Sequence, residues 1–386
     1  MSSANGTPRL LTILMGASFL LNLAFALYRG VFNNFAVQEM GIDAARYGLV
    51  EGIREVPGLL TVVLVAMAAR VRDERLYAIS GSLVGIGIWL YATANSYADV
   101  VLATLVQSTG FHVWSVVQES IVLKHTALED RATRLGKVNA AGAAAGLLGL
   151  AGVWLTGSLL NIRWYFVMAG VVGLGGAALG LLLRRTAEAV HRPTFVFRWQ
   201  YRSYYVLTLL QGARRHIVVT FASFALVKLY GASVPTMALL MALQSFLAIW
   251  TRPLIGRIID RVGEQRALSL NYGIVAAVFA GYAFIRVPWI AYGLFVMDNV
   301  LTGFDIAVST HAGRIIPRGE LSASLATGST INHIFGVMVP IAGGFMWELF
   351  GPVIPFLMGV TVVLIGMAYS WNLDARTKAI TGDSVA

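Results

Sequence analysis

Long apolar stretches alternate along the chain with short polar connections. An apolar stretch of about 20 residues is what an α-helix needs to cross a bilayer, whereas a transmembrane β-strand is about half as long and alternates in polarity. The pattern therefore predicts membrane-spanning helices rather than a barrel. We number the twelve expected helices as spans 1 to 12: roughly residues 10–37, 44–69, 75–94, 98–124, 132–160, 163–183, 202–229, 233–259, 266–286, 288–312, 320–348 and 352–372.

Composition supports a multi-pass protein of the lipid bilayer. Hydrophobic residues make up 57% of the 386 positions and charged residues only 12%, whereas soluble domains are about 25% charged. The chain has no cysteine, which excludes disulfides and thiol chemistry.

The net charge of +10 follows membrane topology and indicates no nucleic-acid partner. Of the 29 basic residues, 21 fall on one side of the predicted spans and 4 on the other. Because basic residues are enriched in cytoplasmic loops, both termini are expected in the cytoplasm, which requires an even number of spans. The expected location is a plasma membrane, in bacteria the inner membrane.

The two halves of the chain repeat weakly. An offset of 190 residues brings Lys124 onto Arg314 and Gly146 onto Gly336. Together with two sets of six spans, these matches indicate a duplication. We expect an N-terminal six-helix bundle over 1–184, a cytoplasmic connector over 185–200 and a C-terminal six-helix bundle over 201–386.

Ionisable residues inside the spans follow a pattern of three. Spans 3, 6, 9 and 12 carry none in their apolar middles, as expected of helices that face lipid. Spans 1, 2, 4, 7, 10 and 11 carry groups that must face partners or a watery cavity. These groups are Arg29, Glu51, Arg54, Glu55, His112, Glu119, Arg214, Arg215, His216, Asp298, Asp305 and His333.

The end of span 8 carries a motif, Gly256-Arg-Ile-Ile-Asp260-Arg261-Val-Gly263-Glu-Gln-Arg266. It resembles the G-x-x-x-D-[RK]-x-G-x-[RK]-[RK] loop of the major facilitator superfamily. The equivalent N-terminal loop, residues 66–73, lacks the first glycine. The resemblance implies an all-α integral membrane fold of twelve transmembrane helices in two pseudo-symmetric six-helix bundles. It also implies a gating loop that latches near the start of span 5, made by Gly256, Asp260, Arg261, Gly263 and Arg266.

In the major facilitator superfamily, which the motif resembles, spans 1, 4, 7 and 10 line a central path, and transport proceeds by alternating access. The arginines on such spans suit a carboxylate or phosphate, because the guanidinium donates two parallel hydrogen bonds. We therefore predict a proton-coupled secondary transporter for a small organic anion or zwitterion. The candidate substrate-binding residues are Arg29, Arg54, His112, Trp114, Arg214, Arg215, Asp298 and His333.

Span 2 offers the sharpest hypothesis on coupling. Glu51, Arg54 and Glu55 lie at i, i+3 and i+4, so they share a helix face beside Pro57. Glu55 is the first choice for the proton carrier, and a static internal salt bridge is the alternative. The candidate proton-coupling residues are Glu51, Glu55, Glu119, Asp298 and Asp305.

Two other functions stay open. The same scaffold suits proton-coupled efflux of cationic or amphipathic compounds, with Asp298, Asp305, Glu51 and Trp114 at the site. A non-transport membrane sensor is the other alternative. Neither a nucleophile–base pair nor a nucleotide-binding loop nor metal-ligand spacing is present in the sequence, so we expect no enzyme activity, no cofactor and no metal. A monomer is expected.

Overall fold

The chain is helical wherever its structure is described. The computed structural model describes residues 6–68, 70–126, 130–183 and 197–373, and those ranges contain no strand. Ten helices in them are long and apolar enough to cross a membrane. The predicted all-α membrane fold is confirmed.

Helix ends agree with the predicted spans to within a few residues. The first half contains α1 (Gly6–Asn34), a π-helical turn (Phe35–Glu39), α2 (Ala44–Leu59), α3 (Thr61–Met67), α4 (Asp73–Thr93), α5 (Tyr97–Lys124), α6 (Arg131–Thr156) and α7 (Ile162–Gly180). The second half contains a 3₁₀ turn (Trp199–Tyr201), α8 (Arg202–Ile217), a π-helical turn (Val218–Ala222), α9 (Ser223–Lys228), α10 (Val234–Val262), α11 (Glu264–Phe284), α12 (Pro288–Leu301), a 3₁₀ turn (Thr302–Asp305), α13 (Ile306–Ile315), α14 (Arg318–Phe350) and α15 (Val353–Ser370).

Three predicted spans are interrupted, and all three carry charge near their middles. Span 2 breaks at Leu60, three residues after Pro57, into α2 and α3. Span 7 contains the π-helical turn that follows Arg214 and Arg215, and span 10 contains the 3₁₀ turn that ends at Asp305. Departures from α-helical hydrogen bonding of this kind concentrate at functional sites.

The described chain divides into two compact units. The first unit comprises Met1–Ile42, Ile53–His191 and Ala232–Ser245, as far as these ranges are described. In it α4 packs on α5 and α7, and α1 packs on α6 and α7. It contains a buried aromatic cluster in which the Tyr91 ring lies 5.3 Å from both Tyr28 and Phe166, centre to centre.

The second unit comprises Asp43–Gly52, Arg192–Gly231 and Phe246–Ala386, again as far as described. In it α8 packs on α14 and α15, and α11 packs on α15. The first turns of α2 belong to this unit and lie directly against α14. A Cβ on Gly48 would fall 2.2 Å from the carbonyl oxygen of Pro340, so only glycine permits this approach. Glu348 accepts a hydrogen bond of 2.9 Å from the backbone N–H of Ala44 and so caps α2.

The offset of 190 residues recurs in local geometry. Gly41 and Gly231 both have positive φ, +61° and +64°, immediately before α2 and α10. The segments Asp43–Gly52 and Ala232–Ser245, which join the unit opposite to their sequence half, also correspond at this offset. The predicted bundle boundaries stay a prediction, and residues 185–196 of the predicted connector lie outside the described chain.

Each unit contains one ion pair at equivalent positions. In the first, Lys124 Nζ lies 2.5 Å from Asp73 Oδ2, and Ser120 Oγ donates to the same oxygen at 2.8 Å. In the second, Arg314 Nη1 lies 3.2 Å from Glu264 Oε2. Lys124 and Arg314 are 190 residues apart, as are Glu74, the neighbour of Asp73, and Glu264. Both pairs fasten the first turn of one helix to the last turn of another, which supports the predicted duplication.

Candidate functional site

Two adjacent arginines in the last turns of α8 have opposite environments. Arg214 is only 1% exposed, whereas Arg215 is exposed. Successive side chains on a helix point about 100° apart, so one can enter the packed interior while the other reaches a cavity. The sequence left open which arginine faces a cavity, and the geometry assigns this to Arg215.

Arg214 lies between two aspartates of the second unit. Its Nη2 is 3.4 Å from Asp298 Oδ1, and its Nη1 is 3.3 Å from Asp305 Oδ1. Asp298 is in α12 and Asp305 ends the 3₁₀ turn, so the seven-residue spacing does present both carboxylates to one partner. We call Arg214, Asp298 and Asp305 the buried triad.

A cavity of about 330 Å³ opens beside Arg215, entirely within the second unit. It lies between α8, α13 and α14, and its volume is in the range of small-molecule sites. No acidic side chain occurs in its lining as described. The lining residues are Tyr204, Thr208, Gln211, Arg215, Val308, Ser309, Leu325, Ser329, Asn332 and His333. We call this space the Arg215 cavity.

Helix packing explains how α8 and α14 build this cavity. Tyr204, Thr208, Gln211 and Arg215 are spaced by three or four residues and so line one face of α8. Near one end, a Cβ on Gly328 would fall 2.0 Å from the Tyr204 hydroxyl oxygen, so the helices touch there. Apart from Val308 and Leu325, the lining offers hydroxyls, amides, one imidazole and one guanidinium. Such a lining can bind a hydrated, negatively charged or hydroxyl-rich molecule through many hydrogen bonds.

Arg54, the central base of span 2, sits in the aromatic cluster of the first unit. It is 8% exposed, and its Nη2 donates to the Tyr28 hydroxyl at 2.8 Å. Its guanidinium carbon lies 4.6 Å from the centre of the Phe32 ring, within cation–π range. Ser108 on α5 donates to the Arg54 carbonyl oxygen. These contacts attach the middle of α2 to α1 and α5.

The other predicted residues of spans 1, 2 and 4 differ in exposure, and the side chains of Glu55 and His112 approach to within 4.8 Å of each other. Glu51 is buried, Arg29, Glu55 and His112 are partly buried, and Glu119 is exposed. His112 Nδ1 lies 3.1 Å from Ser108 Oγ. Trp114 is 3% exposed, so its ring is enclosed by protein. Their predicted roles in substrate binding and proton coupling stay predictions.

The loop within the gating motif is shorter than the sequence predicted. We expected residues 260–265 to connect two helices, but α10 continues to Val262 and α11 begins at Glu264. Gly263 alone makes the turn, with φ +81°, a conformation that favours glycine. A Cβ on Gly256 would meet open space among the described residues, so the first glycine of the motif permits no close helix contact there. Asp260, Arg261 and Arg266 flank the turn, and the latch near the start of span 5 stays a prediction.

Several cavity residues were missed at the sequence level. The predicted residues of these spans were nearly all ionisable, whereas Tyr204, Thr208 and Gln211 on α8 and Ser329 and Asn332 on α14 are uncharged polar residues. A signal for the first three exists, because polar residues at i, i+4, i+7 and i+11 up to Arg215 mark one polar helix face. Ser329 and Asn332 on α14 do not form a comparable polar helix face in the sequence.

Comparisons with known proteins agree with this architecture. The family model of the Major Facilitator Superfamily matches residues 14–201 and 204–383. A search of curated proteins gave no match. Among solved structures, a mutant of the nucleoside transporter NupG is similar with TM-score 0.75 at 16% identity, covering 96% of this chain and 100% of that one. An inward-facing, occupied bacterial homologue of the human lysosomal transporter Spinster is similar with TM-score 0.76 at 15% identity, covering 97% and 98%.

At such low identity, the two similar structures support the fold alone. The family model matches nearly the whole chain and therefore supports membership of the family. With its helical fold and its membrane-length apolar helices, the chain belongs to the Major Facilitator Superfamily of membrane transporters.

Proposed function

We propose that the protein is a secondary active transporter that works by alternating access and carries a small, hydroxyl-bearing organic anion. Arg215 would bind the anionic group, and the polar side chains around it would bind the hydroxyls. Transport would be coupled to protons. The protein would act as a monomer in the bacterial inner or plasma membrane, with both termini in the cytoplasm.

The observation that carries this proposal is the charge of the Arg215 cavity. One exposed guanidinium stands among hydroxyl and amide groups, and the described lining holds no carboxylate. An organic cation would meet the positive charge of Arg215 there, and the described lining offers it no carboxylate to contact. Arg214 would not contact the substrate, because it is buried against Asp298 and Asp305.

A matched ligand set tests the charge preference directly. Gluconate, sorbitol and N-methylglucamine share a polyol chain but are anionic, neutral and cationic. Uridine is added because the NupG neighbour is named as a nucleoside transporter. Binding to the purified protein is measured by thermal stabilisation, and uptake by flux into proteoliposomes. We expect gluconate to bind and sorbitol and N-methylglucamine to bind weakly or not at all.

Variants at Arg215 then test the assigned residue. A hydrogen bond to a charged group contributes about 1.5–3 kcal/mol, so Arg215→Gln should weaken gluconate binding by about 10- to 100-fold. Arg257 is an exposed arginine on α10 and supplies the matched control, Arg257→Gln, which should leave binding unchanged. Preference for N-methylglucamine would favour the cation-efflux alternative. Preference for uridine over gluconate would show that hydroxyl and base contacts matter more than charge.

A further inference from the structure

The buried triad carries an unbalanced charge. One guanidinium faces two carboxylates, so the fully ionised cluster has a net charge of −1. The side chains of Arg214 and Asp298 are only 2% and 6% exposed. An uncompensated charge in such a place costs several kcal/mol, and one added proton removes it.

The contacts in the triad are loose for a purely structural ion pair. Each carboxylate meets a different guanidinium nitrogen through one oxygen, at 3.3 and 3.4 Å. Tight charge-assisted pairs are often bidentate, at about 2.7–2.9 Å. The Arg214 Nε has no hydrogen-bond partner among the described residues. Arg214 thus contacts both acids at once and forms a close bidentate pair with neither.

The two acids differ in access to water. The Asp305 side chain is 23% exposed, against 6% for Asp298. A proton that enters or leaves the triad therefore reaches Asp305 first. Asp298 is left as the enclosed, permanent partner of Arg214.

Charged and titratable groups on the neighbouring helices also act on Asp305. Arg215 on α8 and Arg252 on α10 are both exposed and place positive charge near Asp305. Tyr272 and Tyr282 on α11 lie near the triad. Arg215 is the one of these groups that also lines the cavity.

Gln211 gives a second connection between triad and cavity. It lines the Arg215 cavity, and its side chain hydrogen-bonds Asp305. An anion bound in the cavity would offset the positive charge of Arg215 and compete for the Gln211 amide. Both effects remove interactions that stabilise ionised Asp305, so they strengthen proton binding there.

We propose that Asp305 is the exchangeable proton site of the protein, and that an anion bound at Arg215 and a proton bound at Asp305 strengthen each other's binding. Anion and proton would then cross the membrane together. This assignment rests on the proposed transporter function and replaces Glu55 as first choice for the proton carrier. Arg214 and Asp298 act as positioning residues for the Asp305 carboxyl.

Infrared difference spectroscopy tests the proton site without any substrate. Between acidic and alkaline buffer, the purified protein should show the carbonyl stretch of a buried protonated carboxyl. Asp305→Asn should remove this band, and Asp305→Glu should shift its frequency. Asp260→Asn, at an exposed aspartate, should leave it in place, as should Glu55→Gln. Asp305→Asn leaves a neutral Arg214–Asp298 pair, so the variant should fold. A band that persists unshifted in both Asp305 variants overturns the proposal.

Gluconate binding tests the coupling separately. Its affinity should rise at least several-fold as pH falls in the native protein and become independent of pH in Asp305→Asn. A pH-dependent affinity that survives in Asp305→Asn overturns the coupling. If gluconate does not bind at all, the proposed substrate class fails, and coupling through Arg215 fails with it. The infrared band then still decides whether Asp305 holds the proton.

Discussion

At the scale of single residues, the main lesson is that neighbouring arginines have different tasks. Arg214 neutralises buried carboxylates, and Arg215 reaches the cavity. Adjacent helical side chains point about 100° apart, so the sequence alone implies different environments for the two arginines. It could not say which faces the cavity, since the rotation of α8 is set by its packing against α14 and α15.

Stability measurements should separate the two arginines. Arg214→Gln removes the one cation of the buried triad that contacts Asp298 and Asp305, which should cost about 3–5 kcal/mol of unfolding free energy while both are ionised. Arg215→Gln changes an exposed side chain and should alter stability by about 0.5 kcal/mol or less. Unfolding of the purified variants in mixed detergent gives both values. Equal losses would mean that Arg214 is not the neutralising partner.

The cost of Arg214→Gln should also depend on pH. In acid the two carboxyls can take up protons, so less charge is stranded and the variant should recover stability. If the loss is the same in acid and alkali, it arises from packing and not from charge.

At the scale of helices, the sequence predicted positions well and interruptions only in part. The apolar runs predict where the helices end, because the chain becomes polar where it leaves the hydrocarbon core of the bilayer. Pro57, which lacks a backbone N–H donor, marks the break between α2 and α3 in the sequence. The π-helical turn at Val218–Ala222 and the 3₁₀ turn at Thr302–Asp305 had no proline to mark them. They depend on tertiary packing.

Contact between α2 and α14 provides a test at this scale. Gly48→Ala places a methyl group where the carbonyl oxygen of Pro340 lies at 2.2 Å, so the helices must separate. Overpacking of this kind should cost about 1–3 kcal/mol. The matched control is Gly146→Ala on α6, where a Cβ meets nothing within 4 Å among the described residues. That change should be neutral or stabilise the helix by about 0.5–1 kcal/mol. Equal effects on thermal unfolding would contradict the close contact.

At the scale of the whole molecule, sequence reasoning was strongest. Twelve apolar runs and one loop motif sufficed for the fold, since a bilayer admits few alternatives to a helical bundle. The cavity was the harder part. Its lining comes from α8, α13 and α14, whose mutual register depends on contacts such as Gly328 with Tyr204, and a single sequence holds no record of these contacts.

The repeated ion pairs should differ in strength although they occupy equivalent positions. Asp73 and Lys124 are 16% and 14% exposed, and Asp73 also accepts from Ser120. Asp73→Asn should therefore cost about 1.5–3 kcal/mol. Arg314 is 38% exposed and its contact with Glu264 is longer, so Glu264→Gln should cost about 0–1 kcal/mol. Thermal unfolding at low and high salt checks both, and salt should weaken mainly the Glu264 pair. The reverse order would contradict this ranking.

Membrane orientation is the largest-scale prediction, and the distribution of basic residues carries it. Arg75 in the first turn of α4 and Asn95 just beyond its end are exposed and lie at opposite ends of one helix. Because the chain has no cysteine, Arg75→Cys and Asn95→Cys each introduce a single thiol. An impermeant maleimide added to intact cells should label Asn95→Cys, and Arg75→Cys should react only after the membrane is opened. The opposite labelling would invert the topology. Labelling of both from outside would mean that α4 does not cross the bilayer.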